Sequence, residues 1–474
     1  MIRQSPVYVS IGLVLAFFIL IGSLVPRVYA LTTEEERKLG KTILAEIARS
    51  EDVLDDLYLQ SFVDRIGQSL AAEVTPSPFE FRFYLIRSQE PNAFAIPGGY
   101  VFVTTGLLVL AENEHEIAGV LSHEIAHVTQ RHISQIMDRA KRINLASMAA
   151  MIAGMILGGG GQGSQAVAAT AMATSQALML KYTREHETDA DQNSLHYLAR
   201  AGYDPGGLVS FMKKMLRYSM TIAPKMPTYL STHPALEDRI ALMENLIQIE
   251  PKRPGSLRTY ENYKWIQTRA FVDERAPHVA VSHFESIAKT DPQDVIALFG
   301  LGLAYQRNGR PDKAIEVFEK ALVLAPREPA LLREVGVSYF LSGRVDQAIT
   351  TLETVQSVPL EGAGQKADLR TLYYLGRAYQ EKSDFPRAAE LFLKVQKEAP
   401  GFVEVYHSLG SVYGRMGRKG QSHFYFGKYF KWKGDRTSAL LHFRSALEGL
   451  DRIGPEREEA QREIRELTQA KPQE

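Results

Sequence analysis

His123-Glu124-Ile125-Ala126-His127 is an H-E-x-x-H pentapeptide in a chain of 474 residues that has only 12 histidines. Ile117, Val120, Leu121, Ile125 and Val128 recur around it at three- and four-residue steps, which predicts an amphipathic helix. On that helix His123 and His127 stand one turn apart on one face, where two imidazoles can grip a single Zn²⁺. Glu124 beside them can take a proton from an attacking water. Two histidines on a solvated helix face would look the same, so the reading needs a third ligand.

That ligand must come from a second helix folded back against the first. The stretch Tyr182-Thr183-Arg184-Glu185-His186-Glu187-Thr188-Asp189-Ala190-Asp191 holds the candidates. Glu187 and Asp191 are i and i+4 on a helix that continues through Leu195, Tyr197 and Leu198. Composition does not choose among Glu185, His186 and Glu187. Upstream, Phe79, Phe81, Phe83 and Leu85 alternate with polar neighbours and predict a half-buried strand, with a second one through Val101 and Val103. A sheet edge beside the metal can hold an extended peptide by backbone pairing, with weak sequence preference. Ser231-Thr232-His233-Pro234 reads as a loop, because a residue before proline is pushed out of the helical region. Arg239 offers a fixed cation to a developing oxyanion, or pairs with Glu237 or Asp238.

Together these pieces resemble the HtpX-like zinc metalloproteases, kin of the CAAX prenyl endopeptidases. H-E-I-A-H-V-T-Q-R-H followed by E-T-D-A-D is similar to their H-E-x-x-H and E-x-x-A-D signatures. The resemblance implies one Zn²⁺ per chain, with Glu187 as third ligand beside His123 and His127. Asp191 closes the motif, either orienting a ligand histidine or donating a proton. Asn92-Ala93-Phe94-Ala95-Ile96-Pro97-Gly98-Gly99 resembles the segment these enzymes place beside the cleft, which makes Asn92, Ala93, Phe94, Pro97 and Gly98 substrate-contacting residues. The T-H-P-x-x-x-x-R-I element, here Thr232 to Ile240, places His233 over the metal. It would then stabilise the transition state or fill the fourth coordination position and hold the enzyme latent. Glu124, Asp191, His233 and Arg239 are the catalytic residues on this reading.

The rest of the chain is organised around that centre. Arg3, an apolar run from Val7 to Val25, and Val28 and Ala30 describe a secretory signal over residues 1–30. The run also approaches the roughly 20 residues of a spanning helix, so an uncleaved anchor is the alternative. Ile143 to Leu180 is rich in Ala, Met and Gly; a helix–glycine loop–helix flanking the cleft is expected there. There is no cysteine, hence no disulfide, and 55 basic residues balance 55 acidic ones, which gives no electrostatic case for nucleic acid.

Beyond Pro251–Ser256 the sequence becomes periodic. Leu301-Gly302, Tyr305, Gly309, Ala314, Phe318 and Pro326 fit the 34-residue tetratricopeptide template, and the set recurs at Val335-Gly336, Leu375-Gly376 and Leu409-Gly410. Gly427, Phe430, Gly434, Ala439 and Phe443 restart it half a repeat early. About five helix pairs should stack into a curved solenoid with a concave binding face. The expected architecture is therefore mainly α (α+β): a helical gluzincin-type protease domain with a small β-sheet over 31–250, then an α-solenoid over 257–470. Cut near Glu250, the protease part is expected to work alone.

The full arrangement is similar to periplasmic proteases of Gram-negative bacteria that serve outer-membrane β-barrel assembly. That implies unfolded or misassembled outer-membrane proteins as substrates and the assembly machinery as a partner bound through the repeats, with peripheral membrane association open. The alternative is an assembly chaperone whose zinc site is mostly latent. Glu124 favours the enzyme, since a scaffold has no use for it.

Overall fold

The computed structural model describes residues 31–48, 53–139, 183–221, 227–249, 263–357 and 368–469. The signal-like residues 1–30 and the stretch 143–180 lie outside the described residues. Among the described residues no helix is long and apolar enough to cross a membrane.

Helices α1 (Thr33–Ala48) and α2 (Leu57–Ala71) precede a sheet of β1 (Arg82–Ile86), β2 (Ala93–Ile96) and β3 (Tyr100–Thr104). Then come α3 (Thr105–Leu110), α4 (Glu114–Thr129), α5 (His132–Arg139), α6 (Arg184–Ala201), α7 (Gly206–Thr221), α8 (Thr228–Thr232) and α9 (Leu236–Ile249). The strand order is β1-β3-β2, with β1 parallel and β2 antiparallel to β3. Phe79 and Phe81 are buried as their alternation demands, but the ladder begins only at Arg82. The sequence pattern does not predict β2. Three of its four residues are buried, so it carries no period-two signal. Gly98 and Gly99 close the β2–β3 turn at φ +92° and +95°, and a Cβ on Gly99 would lie 2.3 Å from the Glu80 carbonyl oxygen.

The H-E-x-x-H helix α4 runs through the middle of this half. Asn113 caps it by accepting the Glu116 N–H at 3.1 Å, and Glu114 and Glu116 sit at the positive end of its dipole. It is buried on nearly every side, because α2, α6, α7 and β2 all pack on it. Gly119 permits the closest approach: a Cβ there would lie 2.6 Å from the Leu208 Cα. An element packed this tightly holds its side chains in place.

The second half is twelve helices among the described residues, six pairs where about five were expected. They are α10 (Tyr263–Glu274) with α11 (Pro277–Thr290), α12 (Val295–Arg307) with α13 (Pro311–Leu324), and α14 (Pro329–Leu341) with α15 (Val345–Ser357). Next are α16 (Leu369–Glu381) with α17 (Phe385–Glu398), α18 (Glu404–Arg415) with α19 (Lys419–Trp432), and α20 (Arg436–Gly449) with α21 (Pro455–Gln469). The sequence motif has a packing cause: Phe318 fills the slot left by Gly302, Phe392 that of Gly376, and Phe426 that of Gly410. Gly427 and Phe443 repeat the same fit between α19 and α20, so the half-repeat restart marks one helix that packs on both sides.

The two halves share a helix. Tyr263, Ile266 and Ala270 of α10 belong to the protease core, while Trp265 and Val272 belong to the core of the first repeats. The Tyr263 hydroxyl donates to the Leu108 carbonyl at 2.7 Å. A chain cut near residue 250 therefore loses Tyr263, Ile266 and Ala270 from the protease core.

Buried charges also join α2 to the array. Asp56, the N-cap of α2, accepts from the Leu59 N–H at 2.9 Å with one oxygen and from Arg269 at 2.7 Å with the other. Arg269 also reaches Glu334 at 2.9 Å, and Arg333 and Arg370 meet Glu334 at 3.1 Å each. Although burial opposes its charge, those three guanidinium groups hold the Glu334 carboxyl far below the usual range. Removing one partner from such a buried cluster leaves charge uncompensated. Glu334→Gln should thus cost about 3–5 kcal/mol, read as a lower urea midpoint by far-UV circular dichroism. A midpoint equal to the parent's would show that the network is not what joins α2 to the repeats.

Candidate metal centre

α4 carries His123 and His127 on one face, and α6 crosses it bringing Glu187 and Asp191. Thr183 caps α6 by accepting the His186 N–H at 3.2 Å, which starts the helix one turn before Glu187. His233 caps the C-terminal end of the short α8, its N–H donating to the Tyr229 carbonyl at 2.8 Å. All four side chains are buried, and their ligand atoms lie within 4.8 Å of one another.

The spacing fits a tetrahedral cation. His123 Nε2 and His127 Nε2 are 3.0 Å apart, and each faces Glu187, at 3.5 and 3.3 Å. His233 Nδ1 lies 3.4 Å from His123 Nε2 and 3.2 Å from Glu187 Oε1. Zn–N bonds of 2.0–2.1 Å in a tetrahedron place neighbouring donors ~3.3 Å apart. The residues present therefore suit Zn²⁺ in donor type and in size.

The far sides of the imidazoles complete the pattern. His123 Nδ1 is 2.9 Å from Asp191 Oδ1, and Asp191 is gripped by Arg239 through two bonds of 2.7 Å. Burial works against protonation of His123, yet hydrogen bonds to Asp191 and Glu187 draw it up to about 9. Burial takes His127 well below its ordinary value. A cation competes with protons for these same nitrogens. Despite burial, His233 and Arg239 keep the Glu187 carboxyl well below the usual range.

Glu124 differs from every other acid here. Both its oxygens are buried without a hydrogen-bond partner among the described residues, and His233 Nε2 stands 3.5 Å from Oε1. Burial pushes its pKa up. A buried, basic carboxylate beside the ligand cluster is suited to accept a proton.

Of the alternatives for third ligand, Glu187 meets both histidines, Glu185 points to solvent, and His186 stacks on His132 with ring centroids 4.5 Å apart. Arg239 does not pair with Asp238, which goes to Arg184; it pairs with Asp191 and Glu187, and its Nη2 lies 3.5 Å from His123 Nε2. Asn92 is buried just before β2; its N–H donates to Thr104 Oγ1 at 2.9 Å and its Oδ1 has no partner among the described residues. Ala93 and Phe94 lie on β2, with Phe94 stacked on Phe102 at 4.9 Å. Pro97 and Gly98 pack beneath α1: a Cβ on Gly40 would meet the Pro97 carbonyl oxygen at 1.9 Å, and one on Gly98 would lie 3.2 Å from the Arg37 Cα. Residues the sequence reading passed over are His132, whose Nδ1 is 2.9 Å from His127 Nδ1, and Tyr229, whose ring lies 4.6 Å from that of His233.

Glu187→Gln removes the one anionic donor of the cluster. It should reduce bound metal to well below one equivalent by elemental analysis, a loss of tenfold or more in affinity at the order of magnitude typical of ligand shells. Stoichiometric metal in that variant would pass the ligand role to another acid.

Comparison with known proteins agrees with this geometry. Residues 56–247 match the family described as Peptidase family M48, and residues 269–329, 301–361 and 370–401 match Tetratricopeptide repeat profiles. The beta-barrel assembly-enhancing protease of Escherichia coli (strain K12) is 28% identical over 243 residues, 50% of this chain and 49% of that one. A Vibrio cholerae serotype O1 protein provisionally given the same name is 36% identical over 212 residues, 44% of this chain and 43% of its own. The mitochondrial metalloendopeptidase OMA1 of Schizosaccharomyces pombe is 29% identical over 208 residues, 44% of this chain and 59% of that one. The chain thus spans about half the length of the curated relatives it matches. Residues 56–247 form a peptidase family M48 domain, and residues 269–361 and 370–401 form tetratricopeptide repeats.

Proposed function

We propose that this chain is a zinc-dependent endopeptidase of the periplasm that degrades misfolded or stalled outer-membrane proteins and assists their assembly. The observation that carries the reading is Glu124, buried with neither oxygen hydrogen-bonded among the described residues, set against a buried cluster of His123, His127, Glu187 and His233. Two imidazoles and a carboxylate are the N/O donor set of catalytic zinc. A cation held there supplies Lewis acidity to the scissile carbonyl and to water. Glu124 accepts the proton of the attacking water and returns it to the leaving amine. Asp191, backed by Arg239, orients His123. Beside α4, the outer edge of β2 pairs with no other strand among the described residues and can take an extended peptide by backbone bonding. Such a mode selects unfolded chains.

The names of the bacterial relatives support outer-membrane barrel proteins as clients and their assembly machinery as partner, with the repeats as the contact. The signal-like pattern of residues 1–30 supports export. A second reading, an assembly chaperone with a latent site, draws on one observation: His233 completes the four-donor cluster. Purified protein incubated with unfolded casein separates them. Cleavage that stops with a chelator and returns with Zn²⁺ supports the endopeptidase; no cleavage, with metal bound, leaves the chaperone. Affinity purification of the full chain from cell envelopes without any barrel-assembly subunit would remove the partner.

A further inference from the structure

The two ligand histidines of α4 are supported differently. His123 leans on a buried carboxylate, Asp191, whose charge Arg239 balances. His127 leans on another imidazole: its Nδ1 is 2.9 Å from Nδ1 of His132. His132 is buried, and its Nε2 lies 3.1 Å from Oδ2 of Asp189, whose other oxygen accepts from Asn193 at 3.1 Å.

A cation on Nε2 of His127 would set the hydrogen-bond directions along this chain. With Nε2 of His127 facing the ligand cluster, its Nδ1–H donates to Nδ1 of His132. His132 must then carry its own proton on Nε2, and that N–H donates to Asp189. In that arrangement every nitrogen is used and both rings are neutral, the form a metal ligand needs. His132 reaches this place because the chain reverses after α4: Arg131 takes φ +56° and its Nε is tied to Glu36 at 2.7 Å. The His186 ring, stacked at 21° on that of His132, fixes its plane.

We infer that His132 is the positioning residue for metal ligand His127, fixing its tautomer and ring angle through the His127–His132–Asp189 chain. Partners in such a position are worth 10–100-fold in metal affinity. The inference rests on the cluster being a metal site, and the test keeps the two apart. Affinity of the full chain for Zn²⁺ is measured by competition with a chromogenic chelator, and the visible spectrum of the Co²⁺-loaded protein reports ligand geometry. His132→Phe keeps a ring against His186 and loses both hydrogen bonds. It should weaken Zn²⁺ binding about 10–100-fold and alter the Co²⁺ bands. His132→Asn keeps an acceptor for the His127 N–H and should recover part of the loss. Asp189→Asn, at the half-exposed end, should cost only a few-fold.

An unchanged affinity and spectrum in a His132→Phe protein that melts like its parent would overturn the inference. If that variant does not fold, parental affinity in both His132→Asn and Asp189→Asn overturns it equally. A parent chain that binds no metal would instead remove the metal site itself.

Discussion

Glu124→Gln should leave a protein that binds metal and folds like its parent but hydrolyses casein slower by about 10³-fold or more. The substitution keeps the shape of the side chain and deletes its basicity. The Glu124 oxygens have no hydrogen-bond partner among the described residues, and their one charged contact, His233 Nε2 at 3.5 Å, is longer than a hydrogen bond, so little structure is lost. Burial already disfavours the carboxylate charge there, so the neutral amide should melt at the same temperature or slightly higher. This combination separates proton transfer from assembly of the site. Zinc content near one equivalent together with a tenth or more of parental activity would mean that another group moves the proton.

The chemistry of the site was legible because helical periodicity is strong and its geometry is rigid. Ile117, Val120, Leu121 and Ile125 announce the buried face of α4, and the histidines follow from i, i+4 spacing alone. Glu187 was harder. Its helix buries Leu195, and stepping back one turn at a time gives Asp191 and then Glu187 on the same stripe, whereas Glu185 falls off it. That signal excludes Glu185, but His186 is buried too, and only the crossing of α6 over α4 shows that it stacks on His132 instead. His132 itself could not be read. It follows a left-handed residue outside α4, so no helical spacing relates it to His127. The repeats were the most legible part, because each glycine–phenylalanine fit recurs with the motif that encodes it. What they pack against was not. Asp56, Arg269, Glu334 and Arg370 are far apart in the chain, and each alone resembles a solvated charge; their meeting is a property of the docked halves.

His233→Ala should raise basal casein cleavage and self-cleavage. His233 Nδ1 stands at the fourth corner of the cluster while its Nε2 faces Glu124. One ring thereby covers the place an attacking water needs and the carboxylate that would activate it. Activity then requires the segment from α8 to α9 to move, which substrate can drive by binding the open arrangement better. If the closed form is favoured by ~1.4 kcal/mol, removing the ring should give about a tenfold gain. Two features of the same segment would favour opening. Ala235 sits at φ +61°, and the Tyr229 hydroxyl beneath His233 is buried without a partner among the described residues. A buried hydroxyl left unpaired costs about 1–3 kcal/mol, a cost that opening relieves. Tyr229→Phe should therefore favour closure and slow basal cleavage with metal content unchanged. If His233 serves mainly to stabilise the transition state, its removal slows the enzyme instead. Casein cleavage rates at neutral pH decide: a faster His233→Ala with a slower Tyr229→Phe establishes the cap, and a slower His233→Ala rejects it.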